Sequence, residues 1–91
     1  MEKTKEYSVI SMNDYGSTNY VTNYKPIAIL EDTTKETIGV IMAELADEWC
    51  LDDEEGREFI DKCVENLIKN KIYCDEDYEV SFKIETAYLY R

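Results

Sequence analysis

Histidine is absent from this chain of 91 residues, and glycine (three), proline (one) and cysteine (three) are scarce. Without histidine, the chain lacks the most common metal ligand and the usual general base near neutral pH. Cys50, Cys63 and Cys74 are odd in number and lie thirteen and eleven residues apart, which fits neither paired disulfides nor the close cysteine pairs of a zinc site. The sequence also contains no glycine-rich phosphate loop and no serine-centred nucleophile elbow. We therefore expect a protein that is not an enzyme and that uses no metal or other cofactor.

Long apolar runs are missing as well, since no stretch approaches the roughly 18 residues that a membrane span needs. The composition is nevertheless that of a folding chain, because 44% of the residues are hydrophobic and 12% are aromatic. A chain of this length has room for a single core of modest size. We expect one domain, residues 1–91, in a soluble cytoplasmic protein that does not bind membranes.

Basic residues are few: ten Lys and Arg stand against twenty-one Asp and Glu, for a formal net charge of -11. The first thirty residues are neutral, so the whole imbalance lies beyond Leu30. Negative charge is densest between Glu44 and Glu58, where there are eight acidic residues and Arg57 is the only basic one. Because crowded like charges repel and destabilise a compact state, we expect a positively charged partner to account for this excess. The same charge opposes direct binding to DNA or RNA.

Hydrophobic periodicity predicts three strands. Residues 6–12 and 20–31 are rich in β-branched and aromatic side chains and are joined by turn residues, which predicts a hairpin. Residues 78–90 alternate between apolar or aromatic and mostly polar side chains, which predicts a strand with one face on the core. With two helices between the hairpin and the last strand, we expect an α+β two-layer sandwich. In this ββααβ fold, an antiparallel helix pair covers one face of a three-stranded sheet.

Capping signals locate the two predicted helices. Thr33 and Glu36 have the spacing of a capping box, and apolar residues at helical spacing then predict a helix from about Thr34 to Cys50. Asp52 or Asp53 caps a second helix, with acidic residues in its first turn. The second helix should bury one apolar stripe, consisting of Phe59, Ile60, Cys63, Val64, Leu67 and Ile68.

Pro26 bears on the order of the strands. Because proline cannot donate to a ladder, it belongs at a bulge, a strand start or a sheet edge. If the strands followed sequence order, Pro26 would lie in a central strand. Placing the first strand in the middle removes this conflict, and the first and last strands would then pair in parallel. We favour the second order.

Four acidic residues of the second predicted helix share one side, opposite its apolar stripe. At 100° per residue they fall within about 60° of one another. They are Glu54, Glu58, Asp61 and Glu65. This acidic ridge is about 16 Å long, with an acid about every 5 Å, while a DNA strand has a phosphate about every 3.4 Å. Nearby acids widen the ridge into a patch that can stand in for a nucleic-acid backbone: Glu44, Asp47, Glu48, Asp52, Asp53 and Glu55.

A solvated helix face is the alternative explanation of the ridge. Glu58 with Lys62, and Glu65 with Lys69, have the spacing of ordinary i,i+4 ion pairs. Two repulsive pairs at the same spacing, and an excess of seven negative charges between residues 44 and 58, favour a binding role. Solubility needs a net charge of only about 2 to 8 in a small domain. We therefore interpret the acidic patch as partner-binding.

Two tyrosines are further candidates for partner binding. Tyr15 and Tyr20 flank the predicted hairpin turn, where burial is difficult. Tyrosine offers a large contact area at a low cost in entropy, so both residues could anchor an interface.

Asp75, Asp77 and Glu79 alternate along the chain and could supply oxygen ligands to a weak divalent-cation site. A polar turn in front of the last strand explains the same residues. We assign no metal site here.

The combination of short length, few cysteines, strong acidity, an α+β layout and no catalytic residues resembles the phage-encoded anti-defence proteins. These include anti-CRISPR proteins and anti-restriction DNA mimics. The resemblance covers size, charge and layout, and involves no specific motif. It implies inhibition of a Cas9-type or restriction nuclease in the cytoplasm of the host bacterium, by occupation of the nucleic-acid site of the nuclease. In Cas9-type effectors, arginines that read the PAM duplex are natural targets for carboxylates.

Other classes remain open. The protein could be a structural or regulatory adaptor that binds another protein through its sheet face or helix pair, as a monomer or a homodimer. It could also sequester a small ligand in a pocket that its aromatic sheet forms with a second copy. Salt dependence of binding separates these classes, because apolar docking responds little to salt.

Overall fold

The computed structural model describes residues 4–14 and 24–90, and it is an α+β fold of two helices and a four-stranded antiparallel sheet. The elements are β1 (Thr4–Asn13), β2 (Lys25–Leu30), α1 (Lys35–Glu48), α2 (Asp53–Asn70), β3 (Ile72–Asp75) and β4 (Val80–Tyr90). The predicted fold class is therefore confirmed. The sequence missed one strand, β3, so the order of elements is ββααββ and the sheet does not have three strands.

The strand order is β2-β1-β4-β3, with every neighbouring pair antiparallel. The first strand does lie between the second and the last, as predicted. The predicted parallel pairing of the first and last strands is wrong, because β3 runs alongside β4 and reverses the chain once more before β4 begins. In that direction, β4 pairs antiparallel to β1 along its whole length, from Asn13 opposite Ser81 to Thr4 opposite Tyr90.

Pro26 meets the requirements that its missing N–H imposes. It is the second residue of β2, which is an edge strand. The pairing register with β1 shifts between Ile10 and Ser11, and Pro26 lies opposite Ser11 just after this irregularity. Proline is tolerated at such positions because no ladder hydrogen bond is lost.

The helix starts are fixed by side-chain caps. Thr34 and Thr37 form the capping box of α1, so the predicted box of Thr33 and Glu36 is displaced by one residue. Thr33 is used elsewhere, since its hydroxyl donates to the hydroxyl of Ser8 on β1. Asp52 caps α2, accepting the backbone N–H of Glu55 at 2.7 Å. Within the described residues, no helix combines the length and apolar character that a membrane span requires.

The core lies between the helix pair and one face of the sheet, the inner face, which carries Ile10 and Phe82. The buried apolar residues are Ile10, Ile38, Met42, Leu45, Ala46, Phe59, Cys63, Leu67, Val80, Phe82 and Ile84. The predicted stripe of α2 divides into a fully buried row of Phe59, Cys63 and Leu67 and a half-buried row of Ile60, Val64 and Ile68. The half-buried row borders α1 instead of the sheet.

β1 and β4 extend together beyond the rest of the sheet. Residues 4–7 pair with residues 87–90, whereas β2 joins β1 from Ser8 onward and β3 pairs with β4 up to Lys83. The inner face of β4 is buried from Val80 to Ile84, but Tyr88 on the same face is 60% exposed. The predicted apolar face of the last strand is therefore covered along half of its length.

Cys63 is completely buried, in agreement with its predicted role as a small core residue, while Cys50 and Cys74 are exposed. Burial raises the pKa of the Cys63 thiol, and repulsion from Asp75 raises it further. In the unfolded chain the thiol ionises near pH 8.5, so above that pH the unfolded state binds fewer protons than the folded state. Stability is therefore lost as the pH rises, at up to about 1.4 kcal/mol per pH unit for this group.

Replacing Cys63 tests this linkage. We expect Cys63→Ala to cost about 1 to 2 kcal/mol at pH 7 by leaving a cavity, and to flatten the decline in stability between about pH 8.5 and 10. Cys50→Ala is the matched control, because Cys50 is exposed and its removal should leave the decline unchanged. The measurement is urea denaturation at several pH values. An equally steep decline in Cys63→Ala would contradict the prediction.

Candidate acidic interaction surface

The acidic residues predicted to bind a partner are all exposed. We call them the acidic surface: Glu44, Asp47, Glu48, Asp52, Asp53, Glu54, Glu55, Glu58, Asp61 and Glu65. Their exposure follows from the two amphipathic helices, whose apolar residues turn toward the sheet and leave the charged residues on the opposite side. The surface is therefore presented by rigid helices and by the short turn between them.

The ridge residues of α2 lie together on the solvent side. Asp53, Glu54, Glu58 and Asp61 line one shallow cavity around Arg57. The fully buried residues of α2, such as Cys63, lie on the opposite side of the helix. The structure thus places the acidic ridge on the outward side of α2, with Arg57 beside three of its four residues.

The α1 residues of the acidic surface divide into two groups. Asp47 lines a cavity of about 350 Å³ together with Asp52, Asp53 and Asp61, so the turn joins the two helices into one acidic region. Glu44 and Glu48 lie about 60° and 100° around α1 from Asp47. They face away from α2 and extend the surface along the flank of α1 without joining the central group.

Few cations neutralise these carboxylates. Glu58 pairs with Lys62 at 3.2 Å, and both side chains are about half exposed or more, so solvent screens the pair and it adds little to stability. The second pair with the spacing of an ion pair, Glu65 with Lys69, does not form a salt bridge among the described residues. Most of the negative charge on the surface is therefore left without an ion-pair partner in the described parts of the chain.

The turn between the helices shows the crowding directly. The backbone N–H of Glu55 lowers the pKa of the Asp52 carboxyl, as expected for a helix cap. The Asp52 side chain in turn raises the pKa of Glu55, through a shared hydrogen bond and through the repulsion of its charge. Two carboxylates held this close oppose each other's ionisation, and a cation bound near them would relieve the repulsion.

Three other candidates have different outcomes. Tyr15 and Tyr20 lie outside the described residues, so their predicted role as interface anchors stays a prediction.

Asp75 is buried, and its carboxylate accepts hydrogen bonds from the backbone N–H groups of Asp77 and Tyr78, at 3.0 and 3.2 Å, and from the Tyr73 hydroxyl, at 2.9 Å. The polar sequence before β4 therefore builds the β3–β4 turn. Within residues 4–14 and 24–90, no group of three or more acidic or cysteine side chains is placed to hold a metal ion.

Two surface features could not be located from the sequence. The first is an apolar groove between α1 and α2, lined in part by Gly39, Val64 and Ile68. The second is the outer face of the sheet, where Ile29 and Ile72 are 67% and 52% exposed. Gly39, an isolated glycine inside a helical pattern, was the sequence signal for the groove. The exposed isoleucines could be placed on the outer face only once the strand register was known.

Comparison with known proteins finds no match to this chain among protein-family models, curated proteins or solved structures.

Proposed function

We propose that the protein inhibits a bacterial defence nuclease, of the Cas9 or restriction type, by covering its nucleic-acid site with the acidic surface. The observation that carries this proposal is the exposed strip of carboxylates along α2 and the helix turn, most of them without ion-pair partners in the described chain. Such an arrangement costs folding energy through self-repulsion and becomes favourable when a basic surface binds it.

The geometry supports nucleic-acid mimicry in particular. Glu54 and Glu65 mark the ends of a ridge about 16 Å long, on a helix that fixes the spacing of its side chains. Carboxylates accept the same bidentate hydrogen bonds from arginine as phosphates do. A basic groove that binds successive phosphates would therefore find a row of acceptors at comparable, somewhat wider spacing. Carboxylates around the turn, such as Asp47 and Asp53, would extend the contact.

The test is an order-of-addition experiment with purified nucleases of both types. We expect the protein to block DNA cleavage when it is added before the DNA, and to fail when the nuclease is first loaded with DNA, because one groove cannot hold both. Surface plasmon resonance on the immobilised nuclease measures the same competition. Inhibition that is independent of the order of addition, together with a ternary complex, would overturn the proposal.

The second candidate is an adaptor that binds a protein through the sheet. The exposed isoleucines Ile27 and Ile29 favour it, because they are neighbours on the edge strand β2 and exposed apolar side chains that lie together are typical of interaction sites. Its binding would be nearly independent of salt and would survive neutralisation of the acidic surface. These two properties distinguish the adaptor from the inhibitor.

A further inference from the structure

A groove runs along the outward side of the helix pair. It consists of the cavity of about 350 Å³ at the helix turn and a second cavity of about 700 Å³ toward the other end, which share Ile60 and Asp61. The described lining therefore reaches from Asp52 to Lys69, or about 25 Å along α2. This length corresponds to more than four helical turns.

The floor of the groove is apolar. On α2 it is formed by Ile60, Val64 and Ile68, which follow one another at intervals of four residues and are only half buried. On α1 it is formed by the small residues Gly39 and Ala43. A row of apolar side chains at this spacing is what a helix laid into a groove contacts.

Gly39 is not required by the fold. It lies in the middle of α1, where glycine is unfavourable compared with alanine, and its φ is not positive. A Cβ added there would meet only Val64 Cγ2, at 3.9 Å, which is an ordinary contact distance. Glycine in a helix commonly permits the close approach of another backbone. In this helix, that approach would come from the open side of the groove.

The rims of the groove are acidic. Asp61 and Glu65 border it on α2, and Glu36 and Asp47 border it on α1. Across both cavities, six acidic residues stand against three basic ones, Lys35, Arg57 and Lys69. Negative charge on both sides of a groove is also the arrangement in the major groove of DNA, which admits an α-helix.

Resting on the function proposed above, we propose that the groove between α1 and α2 receives a basic amphipathic helix of the target protein. The apolar side of that helix packs on Ile60, Val64 and Ile68, and its backbone approaches α1 at Gly39. Its lysine and arginine side chains reach the acidic rims. The protein then imitates a groove of the nucleic acid as well as its phosphate backbone. The helix that it binds is one that the target inserts into DNA or RNA.

The test uses a labelled peptide of about 15 residues, made of leucine and lysine, with the leucines at i, i+3, i+4 and i+7 spacing. A scrambled peptide of the same composition is the control. We expect the amphipathic peptide to bind at least about tenfold more tightly by fluorescence anisotropy. It should shift the NMR amide signals of Gly39, Val64 and Ile68. Equal binding of the two peptides, or shifts confined to other residues, would overturn the inference.

Variants of Gly39 locate the site without changing charge. Gly39→Leu fills the groove and should weaken binding of the amphipathic peptide at least about tenfold. Asn66→Leu, on the opposite flank of α2 and outside both cavities, should leave it unchanged.

Gly39→Ala should raise the Tm by about 2 to 6 °C, because helix propensity improves and the added Cβ has room. A lower Tm would show that Gly39 is required for folding and would remove this argument for the groove.

The two proposals fail in different ways. If both peptides bind equally, Gly39→Leu has no effect and nuclease inhibition persists, the groove inference is wrong and the proposed function stands. If the amphipathic peptide binds in the groove but the protein inhibits no nuclease in the order-of-addition assay, the proposed function is wrong.

Discussion

Neutralising the ridge should abolish inhibition of the target nuclease. We expect the combined change of Glu54, Glu58, Asp61 and Glu65 to glutamine to weaken binding by at least about a hundredfold, because each carboxylate contributes charge-assisted hydrogen bonds and long-range attraction. Glutamine keeps the size and the helix propensity of Glu54, Glu58 and Glu65 nearly constant and lengthens Asp61 by one methylene, so charge is the main property tested. Since all four side chains are exposed and repel one another, the variant should be at least as stable as the wild type.

A matched control removes the same number of charges elsewhere. Glu6, Asp32, Glu76 and Glu85 are exposed and lie outside the acidic surface. Their replacement by the corresponding amides should leave affinity within about threefold of the wild type, apart from a small loss of long-range attraction. Equal loss in both variants would mean that net charge, and not the ridge, drives binding.

Association kinetics provide a second readout of the same prediction. The on-rate of the wild type should fall steeply between about 50 and 500 mM salt, while the off-rate changes much less, because salt screens the attraction that steers encounter. The ridge variant should show a weaker dependence on salt. A wild-type on-rate that does not depend on salt would favour the adaptor.

Phe59→Ala should strongly destabilise the protein. Phe59 is 1% exposed, and its ring lies 5.4 Å from that of Trp49, 5.3 Å from that of Tyr78 and 6.1 Å from that of Phe82, measured between centroids. Truncating a buried phenylalanine costs about 3 to 5 kcal/mol, a large part of the 5 to 15 kcal/mol that stabilises a typical domain. Chemical denaturation followed by the fluorescence of Trp49 measures the loss.

A volume-conserving change is the control for Phe59. Phe59→Leu keeps most of the apolar contact and should cost much less than Phe59→Ala, about 1 to 2 kcal/mol. A loss below about 1 kcal/mol in Phe59→Ala would show that the ring does not hold the helix pair on the sheet.

The helices could be predicted closely because their signals are local. Asp52 caps its own helix, and the apolar stripe of α2 repeats at a period that sequence shows directly. β3 was missed because four residues carry little periodicity. In addition, no loop separates β3 from α2. Lys71 ends the helix in a left-handed conformation, φ 66°, and β3 begins at the next residue. The wrong direction of the last strand followed from that single omission.

For the candidate site, the sequence predicts which carboxylates are exposed, but it does not predict the groove between α1 and α2. Exposure depends on helix periodicity, which fixes the outward position of Glu58 or Asp61. The groove depends on how α1 is rotated against α2, and this is set by packing of residues such as Ile38 and Met42 in the core. The exposure of Tyr88 likewise depends on where the helices end above the sheet, which alternation along the strand does not encode.

The pairing of β1 with β4 also determines how the molecule can form. Ser8 lies opposite Thr86, which is 78 residues later, and Asn13 lies opposite Ser81, which is 68 residues later, so the central strand pair joins distant segments of the chain. Contacts at such separation are made late and slowly, because the intervening chain must be ordered before they are gained. Because β4 is the last of the described elements to be synthesised, the apolar side of the helix hairpin cannot be covered by the complete sheet until β4 is available. Folding therefore completes only after translation of β4, and during this interval the nascent chain is most exposed to aggregation and proteolysis.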